Sequence, residues 1–137
     1  MAAQILWISG SAIYIILGTL HLLYTFFTNK FDAKDKNTME LMKQTHPLLT
    51  KKLTMWNAWI GFNGSHSSGG IFLGGANIIM AIFYFEFLSA AWPLIILTDI
   101  TSLFYVFHGV RYWFNVPLRG IVIATICYIA ASILILM

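Results

Sequence analysis

Charged side chains are scarce in this chain: Asp, Glu, Lys and Arg make up 9% of its 137 residues, against about a quarter in ordinary soluble domains. With a hydrophobic share of 59%, that shortage excludes a water-soluble globule, whose surface needs more ionised groups. Cysteine occurs once, at Cys127. A lone thiol excludes a disulfide framework or a thiolate metal cluster within the chain, and its place deep in the last apolar run reads as a packed, inert side chain. Proline occurs three times, at Pro47, Pro93 and Pro117, each beside a predicted helix boundary. The first apolar run lacks the basic head and small-residue cleavage site of a secretory signal, so it is expected to be retained.

What is present is apolar length. Four runs reach or exceed the roughly 20 residues that a bilayer crossing needs, and they predict helices over about 5–28, 56–85, 92–113 and 116–137. The expected fold is an all-α membrane protein, a single domain of four transmembrane helices in an up-down-up-down bundle. The second run is longer than a perpendicular crossing needs, so it should tilt, kink or project, and its glycines favour a kink. Pro93 suits a first helical turn, where its missing N–H would have no partner anyway. Trp7, Trp56, Trp59, Trp92 and Trp113 all fall near predicted ends, as an interfacial aromatic belt requires.

The basic residues are segregated. Lys30, Lys34, Lys36, Lys43, Lys51 and Lys52 lie between the first and second runs, and Arg111 and Arg119 flank the turn between the third and fourth. By the positive-inside rule these connections face the cytoplasm and both termini lie outside. Basic charge so placed implies membrane topology and no nucleic-acid partner. Within the loop 29–53, Asn37 followed by Glu40 resembles a capping box opening a short amphipathic helix that stops before Pro47. Such a piece either lies on the membrane surface or acts as a lid.

Polar residues inside the runs recur at steps of three and four, which puts each set on one helix face. The sets are Ser11, Tyr14, Gly18, His21 and Tyr24; Trp56, Trp59, Asn63, His66, Gly70 and Asn77, with one apolar step at Leu73; Thr98, Thr101, Tyr105, His108 and Tyr112; and, weaker, Thr125, Tyr128 and Ser132. Polar groups against lipid tails are costly, so these faces should turn inward, either around a polar pocket or simply bonding helix to helix.

At about 1.5 Å per residue, His21, His66 and His108 lie roughly 10, 15 and 8 Å from the cytoplasmic ends of their helices. All three also fall on the polar faces. They are therefore expected to converge, with Asn63, Tyr24 and Tyr105 lining the same site, while His46 stays at the surface. Three imidazoles can hold a divalent metal with an open position. His21 and His108 alone can ligate a haem. One histidine can also serve as acid or base on a lipid-like or quinone substrate. The spacing leaves these alternatives open, together with an accessory structural subunit whose polar faces only join helices.

Asp99 is the only acid within a predicted transmembrane helix. At 100° per residue it points about 180° from His108, at a depth close to that of Asn77. An intramembrane acid is a functional candidate by default, with hydrogen bonding to a neighbouring helix such as at Asn77, a subunit contact in a homo-oligomer or complex, and a proton relay as its possible roles. The stretch Gly61–Gly75 pairs small residues at four-residue steps (Gly61 with Ser65, Gly64 with Ser68, Gly70 with Gly74), which permits close helix approach.

The His21-Leu22 pair, the polar loop and the segment Trp59-Ile-Gly-Phe-Asn-Gly-Ser-His66 resemble a family of small, uncharacterised four-helix bacterial integral membrane proteins. The resemblance covers mostly the first two helices. It implies the four-helix topology and a bacterial inner (plasma) membrane, and it carries no activity.

Overall fold

Each long apolar run folds as a helix, because without water only a helix satisfies the backbone N–H and C=O groups within one segment. The computed structural model describes residues 1–137 as six helices and no strand: α1 Ala2–Phe27, α2 Lys36–Gln44, α3 Met55–Phe83, α4 Phe85–Ala90, α5 Trp92–Tyr112 and α6 Asn115–Leu136. Four of them, α1, α3, α5 and α6, are long and apolar enough to cross a membrane. Their limits match the predicted spans within three residues.

Two local readings are corrected. The second predicted span ends early: α3 stops at Phe83, Tyr84 adopts φ −136° and ψ 36°, and Phe85–Ala90 forms the separate helix α4. The glycine-rich stretch remains helical throughout. The capping residue of α2 is Asp35 rather than Asn37: its carboxylate accepts from the backbone N–H of Thr38 at 2.9 Å and from the Thr38 hydroxyl at 2.8 Å. Asp is among the strongest N-cap residues because its short side chain reaches an otherwise unpaired helix N–H. Pro93 occupies the first turn of α5 as expected.

The chain divides into two compact units with boundaries inside α1 and α3: residues 1–17 with 70–137, and residues 18–69. The first unit is organised around Trp7, Tyr14, Leu88, Ile95 and Tyr128, all essentially without exposure. Trp7 therefore belongs to the core and not to an interfacial belt. Its ring packs edge-on against Tyr128 with centroids 5.0 Å apart, and its indole N–H donates to Asn77 Oδ1 at 2.9 Å. Helix position alone suggested the belt, but a tryptophan can be buried this deeply when its N–H finds an acceptor.

Hydroxyls complete that core. Ser11 donates to the Trp7 carbonyl, so Tyr128 is the donor to Ser11 at 3.0 Å. Thr125 donates to the Ile121 carbonyl, which makes Ser102 the donor to Thr125 at 2.6 Å and Tyr14 the donor to Ser102 at 2.9 Å. The polar faces of α1, α5 and α6 here join helix to helix.

In the second unit, a Cβ at Gly64 would come within 3.0 Å of the Phe26 ring, so the absence of a side chain lets α1 and α3 approach there. Gly61, by contrast, faces open space. The small-residue ladder is thus used at particular rungs only.

No more than 33% of the most apolar window of any long helix is buried. Phe62, Phe72, Leu97, Phe107 and Ile126 are among the large side chains left outward. Water disfavours such surface by about 25 cal/mol per Å²; hydrocarbon does not.

Candidate functional site

In the 18–69 unit, α1 contributes His21 and Tyr24, and α3 contributes Trp59, Asn63 and His66. His21 Nε2 and Asn63 Oδ1 lie 3.0 Å apart, and the His21 and His66 rings meet edge to face with centroids 5.5 Å apart. Asn63 is oriented from within its own helix, its Nδ2 donating to the Trp59 carbonyl at 2.8 Å. A carbonyl can only accept, so the amide nitrogen faces Trp59 and the amide oxygen faces His21. His21 must then donate through Nε2–H, and its neutral ring keeps the lone pair on Nδ1. A fixed tautomer of this kind makes an imidazole a directed hydrogen-bond acceptor or base.

Phe31 covers this arrangement, its ring centroid 4.5 Å from that of His21. Its carbonyl accepts from the Trp59 indole at 3.1 Å, which ties the start of the loop to α3. Phe31 stands in a non-repeating loop, where no periodicity marks it, and the sequence reading missed it. Its one legible signal is that it is the sole aromatic residue in the stretch from Thr28 to Thr54. Tyr24 lies beside it at 6.5 Å between centroids and carries the Lys30 ammonium 4.0 Å above its ring. His21 and Asn63 are half-buried, while His66 is exposed.

The remaining candidates belong to the other unit. His108 is half-buried among aromatic rings of its own helix, Phe104 at 4.4 Å, Phe107 at 5.7 Å and Tyr112 at 5.7 Å between centroids. Tyr105 packs edge-on against Tyr14 at 5.5 Å and against Trp113 at 6.0 Å. Nowhere do three or more His, Cys, Asp or Glu side chains come together in a way that could hold a metal ion. The expected three-histidine metal set of His21, His66 and His108 is corrected accordingly, leaving His21 and His66 as a pair. Periodicity fixes the face of a helix on which a residue lies, but not how far that helix is rotated toward its neighbours.

Asn77 serves the core rather than a pocket. Its Oδ1 accepts from Trp7 and, at 3.2 Å, from Thr98, while its Nδ2 donates to the Leu73 carbonyl. No hydrogen bond joins it to Asp99. Asp99 is set against Ser132 of α6, whose hydroxyl is placed to donate toward its carboxyl, although the buried Asp99 Oδ1 and Ser132 Oγ fall short of a regular hydrogen bond. His46 stays exposed in the loop, as expected, with Nδ1 2.8 Å from the Leu53 carbonyl.

Comparison of the chain with models of protein families, with curated proteins and with solved structures finds no match.

Proposed function

We propose that this chain is a polytopic membrane protein whose 18–69 unit binds the polar head of a lipid-soluble molecule, a lipid-like or quinol ligand that presents an O–H group. The observation that supports this reading is the Asn63-directed tautomer of His21. A lone pair on Nδ1 accepts a ligand hydroxyl, and the His66 ring stands beside His21, 5.5 Å away between centroids. The test is native mass spectrometry of the protein released gently from its membrane. A co-purifying lipid-soluble mass should be present in the wild type and in His108→Phe but lost in His21→Phe and Asn63→Leu. Equal retention in all four proteins would overturn the site.

A second reading takes the same pair as ligands of one divalent ion. Asn63 would then be the outer partner that orients a metal-bound histidine through its other nitrogen. Stoichiometric metal in the purified wild type, absent from His66→Phe, would favour this reading over the first.

For topology, the concentration of lysine in residues 30–52 and the arginines at 111 and 119 support a cytoplasmic loop between α1 and α3 with both termini on the opposite side. Impermeant thiol labelling of intact cells should leave Lys34→Cys protected and Glu86→Cys reactive.

A further inference from the structure

Residues 45–55 form a loop closed at its base. The Met55 N–H donates to the Thr45 carbonyl at 2.9 Å, and His46 Nδ1 lies 2.8 Å from the Leu53 carbonyl, which as an acceptor requires the proton on Nδ1. Inside this clamp the chain reverses, with the Thr50 N–H donating to the Pro47 carbonyl at 3.2 Å and the Lys52 N–H to the Thr50 hydroxyl at 3.1 Å. The reversal leaves Leu48 and Leu49 at the tip with relative exposures of 109% and 94%. Lys51 and Lys52 follow directly and are exposed.

A flexible loop in water would tend to fold two leucines back, whereas this one holds them out on a hydrogen-bonded base. Its charge has one sign: no acidic residue occurs between Glu40 and Glu86. The base is also the first residue of α3, an apolar span, so the tip lies within a few residues of where the chain meets a bilayer surface. Apolar tips flanked by lysines match a membrane interface, in which leucine enters the acyl boundary and lysine remains among phosphates.

We propose that the Leu48–Leu49 tip is a membrane-docking wedge that inserts into the anionic leaflet beside the start of α3, with Lys51 and Lys52 selecting acidic headgroups. It is independent of the histidine site. To test it, the full chain carrying Cys127→Ser and Leu48→Cys is labelled with an environment-sensitive fluorophore and reconstituted in lipid discs at one copy per disc. The discs contain either phosphatidylcholine alone or an equal mixture with phosphatidylglycerol. Emission should move to the blue and be quenched by acyl-chain spin labels in the mixed discs, and should become water-like in phosphatidylcholine discs or when Lys51→Gln and Lys52→Gln are added. Leu49→Cys, labelled in the same way, should behave alike. Water-like emission in both discs overturns the wedge. Equal insertion in both overturns the selection of anionic lipid, and a blue shift that appears only with two copies per disc assigns the tip to a second chain instead.

Discussion

Gly74 of α3 lies against α1 so closely that a Cβ in its place would sit 2.5 Å from the Ser11 carbonyl oxygen and 3.0 Å from the Ile15 backbone nitrogen. Both are main-chain atoms, which cannot swing aside as a side-chain tip can. The adjacent Gly75 has nothing within 4 Å of its virtual Cβ. The two glycines are therefore neighbours in sequence with opposite tolerances.

Gly74→Ala should cost about 1–3 kcal/mol, the usual penalty for forcing volume into a packed contact. Gly75→Ala should be neutral or stabilising by up to about 1 kcal/mol, because alanine is the better helix former. Parallel thermal unfolding of the two variants in one detergent decides the matter. Equal midpoints would mean that α1 and α3 do not pack at Gly74 as described.

His21 offers a prediction about a single proton. With Asn63 Oδ1 at 3.0 Å from Nε2, the neutral ring should be protonated on Nε2 and bare on Nδ1. Nitrogen-15 NMR of selectively labelled protein distinguishes the two nitrogens directly. Asn63→Leu removes the acceptor and should give a mixture of tautomers, with a loss of roughly 1 kcal/mol for a half-buried donor left unpaired. Observation of Nδ1–H in the wild type would remove the basis for treating His21 as a directed acceptor.

The cap of α2 gives a pH dependence whose sign can be worked out. Hydrogen bonds from the backbone N–H and then the hydroxyl of Thr38 hold the Asp35 carboxyl below its ordinary 3.8. A group whose pKa is lowered by folding stabilises the folded form above its unfolded value, and that stability is lost as pH falls through the lowered one. Amide exchange in residues 36–44 should therefore show the full contribution of the Asp35 cap, unchanged with pH, between neutrality and about pH 4, with protection declining below that. Asp35→Asn, which keeps a capping oxygen but does not titrate, should abolish the decline. A decline that persists in that variant would assign it to another group.

The spans were legible because length and apolar content are sufficient to define a membrane helix, and the corrections arise where three-dimensional placement decides. Asn37 with Glu40 imitates a capping box, but Asp35 with Thr38 two residues earlier makes the stronger cap. The break at Tyr84 carries neither glycine nor proline to mark it. Trp7 sits near the chain start, where a belt residue would sit, and only the position of Asn77 across from it reveals a core residue. The matching polar faces of α1 and α3 anticipated the contacts of His21 with Asn63 and His66. Phe31 was invisible to periodicity, and the inclusion of His108 rested on its depth and on the polar face of its helix, neither of which fixes how that helix is rotated.

Asp99 remains the residue least reconciled with its surroundings. Its Oδ1 and the Ser132 Oγ are buried, set against each other yet short of a regular hydrogen bond, and Asn77, the partner suggested by depth, bonds Trp7, Thr98 and the Leu73 carbonyl instead. Buried polar groups without partners cost about 1–3 kcal/mol each, whereas replacing both by apolar groups of similar shape can be neutral or stabilising. Asp99→Leu combined with Ser132→Ala should therefore unfold at a temperature equal to or above that of the wild type. If the carboxyl contacts another copy of the chain, the same double variant should instead lose a dimer in mild detergent, which mass measurement detects on the same sample. A stabilised variant with assembly and ligand content unchanged would show that the carboxyl serves neither packing nor oligomerisation nor the histidine site. A lowered midpoint with unchanged mass would mean that Asp99 makes an intramolecular hydrogen bond after all, and the description of it as unsatisfied would be wrong.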